Sequence, residues 1–270
     1  MFLRTGFSIP IILLTLGSSI FVFGQQLPAK PEKKPEATAT PVTKNLPTVV
    51  TADQVAELAI VVYGGRVTLN QIRKTAIERG KISVTNAEGK IEKASYQKFT
   101  TRGETLGKEK IRLDQEFPTA RYSLVYNDDK IFGIFNDSVF TPREDASRSF
   151  QNQIIYGLEA LLRYKENESK LELGGRNKVL GVDFYFLDVT DKQNRKTRFY
   201  VSAKFFRVMM LEYEDAGIKY RRRFYNYNYA QRTLVPYRSV LWAGDKLIEE
   251  TEIGTVTYGQ KIDDGMFAAS

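Results

Sequence analysis

Residues 51–80, TADQVAELAIVVYGGRVTLNQIRKTAIERG, decide the fold class. Thr51 with Gln54, and Thr68 with Gln71, each make the Ser/Thr-x-x-Glu/Gln pattern, in which two side chains satisfy otherwise unpaired amides at a helix start. Val55, Leu58, Ala59 and Val62 recur at the spacing of one helical face, as do Leu69, Ile72 and Ala76. Gly64-Gly65 and Gly80 supply the left-handed residue that closes a helix. The stretch predicts two short helices, each with one face to bury, leading into a long series of strands.

Those strands are read at 81–86, 90–100, 109–115, 121–126 and 130–135, and again at 179–190, 196–211, 218–229, 234–243 and 247–258. Turn signals separate them, among them Glu88-Gly89, Asn127-Asp128-Asp129 and Ala243-Gly244-Asp245. Between the two series, Thr141-Pro142-Arg143-Glu144 predicts a longer helix with Pro142 in its first turn and Phe150, Ile154, Leu158 and Leu161 on its apolar stripe. Alternation fails around Phe205, Phe206, Val208, Met209, Met210 and Leu211, as it does where a strand is covered on both faces. The expected class is α+β: a curved antiparallel sheet with helices covering its concave face.

Upstream, residues 7–23 are almost wholly apolar after one positive charge, and Val22-Phe23-Gly24 suits a cut before Gln25. Residues 1–24 thus read as a signal peptide, and the protein as periplasmic or secreted; an uncleaved N-terminal membrane anchor is the alternative. Residues 25–50 are rich in Pro, Lys, Ala and Thr and read as a disordered linker, reaching on the order of 75 Å at ~3.1 Å per residue. Residues 51–270 read as one domain. With no Cys, an exported chain has no disulfides and rests on its core alone; with no His, a Ser-His-Asp triad, a Cys-His pair and the usual His-based zinc sites are excluded. No cofactor and no metal site is expected, and no enzymatic activity.

The order of signal peptide, short helices with Gly64-Gly65, Ile72 and Gly80, antiparallel strands, a covering helix, more strands and a closing Gly259-x-x-Ile262-Asp263-x-x-x-Phe267 resembles the LolA-like and LolB-like periplasmic lipoprotein-carrier superfamily. The resemblance spans most of residues 51–270. It implies an unclosed β-barrel with helices as a lid over an apolar cavity that holds acyl chains. The expected partners are therefore a lipid or an acylated protein.

Placed on that frame, the stripe residues Phe150, Ile154, Leu158 and Leu161 should face Phe186, Phe206, Val208, Met210 and Trp242 across a ligand cavity. Strand alternation puts Arg221, Arg223, Tyr225 and Tyr227 on one face, as candidates for a headgroup or cavity-mouth role. The same cations and rings have the ingredients of a single-strand nucleic-acid platform, but the signal peptide argues against that partner. A formal charge of +8 suits an anionic membrane surface instead. Glu249, Glu250 and Glu252 read as a solvated strand edge, and the Asn/Asp pairs at 127–129 and 136–137 as hairpin turns rather than cation sites. The function expected is an exported protein that binds an apolar ligand; the alternative is an envelope scaffold that docks a protein partner and has no cavity.

Overall fold

The computed structural model describes residues 50–86 and 88–269. The expected signal peptide and all of the linker except Val50 lie outside the described residues. Helices α1 (Ala52–Val62) and α2 (Gly65–Ile72) come first. Strands β1 (Thr75–Thr85), β2 (Ile91–Thr101), β3 (Lys110–Glu116), β4 (Arg121–Asn127), β5 (Lys130–Phe135) and β6 (Ser138–Phe140) follow. Helices α3 (Glu144–Ile155) and α4 (Leu158–Leu162) lead to β7 (Lys170–Val179), β8 (Val182–Thr190), β9 (Lys196–Ser202), β10 (Val208–Asp215), β11 (Ile218–Ala230), β12 (Thr233–Ala243) and β13 (Lys246–Tyr258).

All the strands form one antiparallel 13-stranded sheet in the order β6-β5-β4-β3-β2-β1-β13-β12-β11-β10-β9-β8-β7. The chain builds outward from β1 to one edge, then resumes at the opposite edge and returns until β13 pairs with β1. The sheet is curved and does not close, so α3 and α4 must carry the chain from one edge to the other. The class is α+β, as expected. Asp128-Asp129 and Asn136-Asp137 all have positive φ, between 47° and 59°, the backbone of a tight hairpin turn.

The Thr51 cap forms: Gln54 N donates to Thr51 Oγ1 at 3.2 Å, and Thr51 N to Gln54 Oε1 at 2.9 Å. The other two expected caps do not. Thr68 lies inside α2, which begins after Gly64, and α3 begins at Glu144 with Arg143 as a cap that makes no side-chain bond. Gly80 is a strand residue rather than a helix terminator. A Cβ there would sit 2.2 Å from Glu252 O and 2.9 Å from Tyr96 Cε1, so the missing side chain lets the Tyr96 ring lie over β1. The run 196–211 is two strands. Residues 203–206 turn between them and a bulge separates Val208 from Met210, which is why alternation fails there.

The main core lies where α1 and α4 meet the C-terminal strands; Val55, Ala59, Ile60, Leu161, Phe199 and Leu211 are fully or almost fully buried in it. A second cluster joins Phe150 and Ile154 of α3 to Ile82, Ile111, Leu113 and Leu124. Residues 264–267 form a short 3-10 turn behind β3 and β4, where Phe267 is fully buried and its carbonyl accepts from Asn127 Nδ2 at 3.1 Å. No described helix is long and apolar enough to cross a membrane.

Candidate functional site

Helix α3 begins with Glu144 and Asp145, which suit the positive end of the helix dipole, and turns Phe150 and Ile154 toward the sheet. The expected single helix breaks at Gly157: a Cβ there would lie 2.4 Å from Gln153 O, so only glycine lets the chain turn this tightly into α4. The break divides the stripe. Leu161 faces the main core and is 0% exposed, while Leu158 stays partly buried. Between α3–α4 and the inner face of β1–β3 and β11–β13 lies a cavity of about 270 Å³. Phe150, Ile154, Leu158, Ile82, Leu113 and Phe224 are among the apolar side chains that line it.

Charged groups line the cavity too, and they are paired across elements. At one end Glu159 of α4 meets Arg73, just past α2, and Arg102, just past β2, each at 2.5 Å. Burial would raise the Glu159 carboxyl, but the Arg73, Arg102 and Arg163 guanidiniums hold it below the usual range. Behind it Arg163 pairs with Glu109, both buried, and Arg163 Nη2 donates to the carbonyls of Gly103 at 2.6 Å and Glu104 at 3.1 Å. Burial first, and the negative charge of Glu159 second, push Glu109 up to about 7 against the opposing pull of these arginines. Along the cavity wall Arg222 pairs with Glu249 at 2.8 Å, and Gln153 of α3 donates to the same carboxylate at 2.9 Å. Tyr96 donates to Glu78 at 2.7 Å, and burial pushes its hydroxyl far above the ordinary range.

The lid is thus latched to the sheet by the Glu159–Arg102 ion pair at α4 and by the Gln153–Glu249 hydrogen bond at α3. No group of His, Cys, Asp and Glu that could hold a metal ion occurs among the described residues.

Of the residues expected at the cavity, Phe150, Ile154 and Leu158 line it, and Leu161 does not. Val208 is fully buried in the main core, where its carbonyl accepts from the hydroxyls of Tyr63 and Tyr227. Phe206 lies in the turn before β10 and stacks on Tyr185 at 6.0 Å. Phe186, Met210 and Trp242 are on the outer face instead. Phe186 packs on Tyr200 at 5.0 Å, Met210 alternates with the inward Leu211, and Trp242 lies under Arg223 at 5.5 Å.

The mouth candidates divide the same way. Arg221 pairs with Glu212 at 2.7 Å and Tyr225 lies under Arg238 at 5.0 Å, both on the outer face with Arg223. Tyr227 points inward, where its hydroxyl donates to the Val208 carbonyl, and the residue before it, Asn226, adopts φ 54° although the β11–β12 register is the same on either side. A one-residue shift exchanges the faces of a strand, and two bulges introduce one: Met209 is the extra residue of β10 against β9, and Ile248 that of β13 against β12.

Sequence reasoning missed the ion pairs. Glu249 is 4% exposed and β13 is central, so the acidic run is no solvated edge; Glu250, paired with Arg238, and the exposed Glu252 lie on the opposite face from Glu249. A signal existed in the alternation of Glu249, Thr251 and Ile253, and in Glu159 and Arg163 four apart beside the Leu161 stripe.

No protein-family model matches the chain, and no curated protein matches it in sequence. Solved structures do. A DUF1329 family protein from Desulfovibrio piger superposes with a TM-score of 0.60 over 82% of this chain and 98% of its own, at 15% identity. A LolA superfamily protein from Nitrosomonas europaea gives 0.59 over 82% and 98%, at 13% identity. The fold is LolA-like. A domain of the outer membrane lipoprotein-sorting type from Vibrio parahaemolyticus gives 0.52 over 80% and 97%, at 12% identity. At these identities the likeness concerns the path of the chain, and the side chains of the LolA-like cavity have to be read from this protein alone.

Proposed function

We propose that this protein is a non-enzymatic envelope protein that holds a lipid, or the acyl chain of a lipoprotein, between the α3–α4 lid and the inner face of the sheet. The observation that carries the reading is the space of about 270 Å³ left under a lid whose α3 stripe is otherwise packed on the sheet. It lies just below the range of about 300–1,000 Å³ usual for small-molecule sites, so it suits a short chain or one end of a longer one. A longer chain requires α4 to move, which breaks the Glu159 pairs with Arg73 and Arg102. Each buried methylene gains about 0.8 kcal/mol, enough for micromolar affinity after the cost of association.

The names of two structural neighbours, a LolA superfamily protein and a lipoprotein-sorting domain, point to the same class of cargo. Export fits it as well: a mature chain beginning near Gln25, found by N-terminal sequencing, supports a free periplasmic or secreted protein, and recovery of residues 1–24 in the membrane fraction supports an anchored one. The absence of His and Cys, and the pairing of the cavity's carboxylates with arginines, favour binding over catalysis.

The test is titration of the purified protein with a fluorescent fatty acid and a fluorescent phospholipid, repeated with Leu158→Trp, which fills the cavity from the lid. Saturable binding weakened about tenfold by the substitution supports the reading. Absence of binding by the folded protein overturns it and leaves an envelope scaffold that docks a protein partner.

A further inference from the structure

Two neighbouring turns at one end of the sheet place large apolar side chains in water. Leu180, in the β7–β8 turn, is 77% exposed, and Phe205, in the β9–β10 turn, is 52% exposed. The turns are joined: Ala203 N donates to Asp183 O at 2.9 Å. Leu180 also sits at φ 49°, a left-handed position that a branched, bulky side chain occupies only at a cost and that Asn or Gly fills readily. An apolar residue both strained and solvated is disfavoured twice over, which points to a contact made outside the chain.

The surroundings give the chemistry of that contact. Residues 176–183 and 202–208 carry four cations, Arg176, Lys178, Lys204 and Arg207, against a single carboxylate, Asp183. Arg176 takes Asp183 at 3.1 Å, and Lys178, Lys204 and Arg207 have no carboxylate within ion-pair range among the described residues. Lys204 Nζ lies 5.0 Å and Arg207 Cζ 5.3 Å from the centre of the Phe205 ring. The Arg207 guanidinium is held between that ring and Tyr227, and its buried Nε has no hydrogen-bond partner. On the neighbouring outer face three arginines are neutralised, Arg198 by Asp188, Arg221 by Glu212 and Arg238 by Glu250. At this rim three cations without a carboxylate partner thus stand beside the two protruding apolar tips.

We infer that this rim docks the protein on an anionic phospholipid surface, with Phe205 and Leu180 entering the interfacial layer and Lys178, Lys204 and Arg207 facing lipid phosphates. A bilayer interface accepts protruding apolar tips without a matching pocket, and its negative potential complements the unpaired cations. A protein partner would need a cavity shaped to two separate turns. The inference does not depend on whether the cavity under α3–α4 holds a ligand.

Vesicle co-sedimentation tests it, with the protein as recovered from the exporting cell and every variant in the same background, so that the N-terminal residues contribute equally. One set of vesicles is phosphatidylcholine alone; in the other about a third of the lipid is phosphatidylglycerol. Binding to the anionic set should be at least about tenfold tighter and should fall as salt rises. Leu180→Asn, which suits the turn backbone, should weaken that binding with no loss of melting temperature, and adding Phe205→Ser should weaken it further to about tenfold. The double variant Lys204→Gln/Arg207→Gln should remove the preference for the anionic vesicles. Equal binding to both vesicle types, no binding to either, or unchanged binding by Leu180→Asn and by the lysine–arginine double variant would overturn the inference; a rim that ignores lipid yet captures a protein would do so as well.

Discussion

At the scale of single residues, Arg163 and Glu109 show how a buried ion pair is held in a chain with no disulfide. Arg163 donates to Glu109 through Nη1 and to two backbone carbonyls through Nη2, so both terminal nitrogens are hydrogen-bonded in an interior where leaving them unpaired would be costly. Arg163→Ala should destabilise the fold by about 3–5 kcal/mol, because it leaves a buried carboxylate without its cation. The loss depends on pH in a definite sense. The Glu109 pKa is raised from about 4.5 to about 7, so the stability linked to this group is full below about 4.5 and is lost as pH rises through about 7. Removing Arg163 raises that pKa further, so the deficit should be larger at about pH 8 than at about pH 5. Denaturant melts of the variant and wild type at the two pH values check this; an equal deficit at both would show that Glu109 keeps one protonation state throughout. Gly80→Ala is a second residue-level prediction. Its methyl would meet Glu252 O and the Tyr96 ring in the middle of paired strands, and a loss of about 1–3 kcal/mol is expected from the melting curve.

At the scale of elements, the lid is two helices with different duties. Helix α4 is welded into the main core by Leu161 and Leu162, which touch the layer built by α1 and the C-terminal strands. Helix α3 rests on the smaller cluster through Phe150 and Ile154 and borders the cavity. Leu161→Ala should therefore cost about 2–5 kcal/mol, the usual toll of a void in a closed core, and Leu158→Ala clearly less, since Leu158 already borders empty space. Thermal melts of the two variants decide it. Similar losses would mean that Leu158 is as tightly enclosed as Leu161. Bulges matter at this scale too, because the extra residues Met209 in β10 and Ile248 in β13 exchange the faces of the side chains on either side of them.

For the whole molecule, the decisive feature is the seam at which β13 pairs with β1. It joins a strand series made early in the chain to one made at its end, so the sheet is continuous only after both are in place. Contacts of such long sequence separation make folding slow and unfolding cooperative. Hydrogen exchange should show β1, β12 and β13 opening together with the slowest amides, while the three residues of β6, exposed and at the sheet's edge, exchange fastest of all the strands. Mass-resolved exchange reads this directly. Independent opening of β1 from β13 would indicate two separately stable halves.

What the sequence determined on its own was whatever local chemistry encodes: the Thr51 cap, the Asn/Asp hairpin turns, the strand-rich α+β class, and the exclusion of His and Cys chemistry. Strands β6 and β7 were not legible, the first because it is three residues long and the second because its edge position leaves it polar and glycine-containing. The Arg73–Glu159–Arg102, Arg163–Glu109 and Arg222–Glu249 pairs were decided by tertiary structure alone, since their members are up to 86 residues apart and charge in a sequence reads as surface until a fold buries it. The facing of Met210 was likewise decided by pairing, through the extra residue Met209 in β10, whereas Phe186 and Trp242 sit in unbroken registers against β9 and β11 and lie outside because tertiary packing alone chooses which face of the sheet the helices cover.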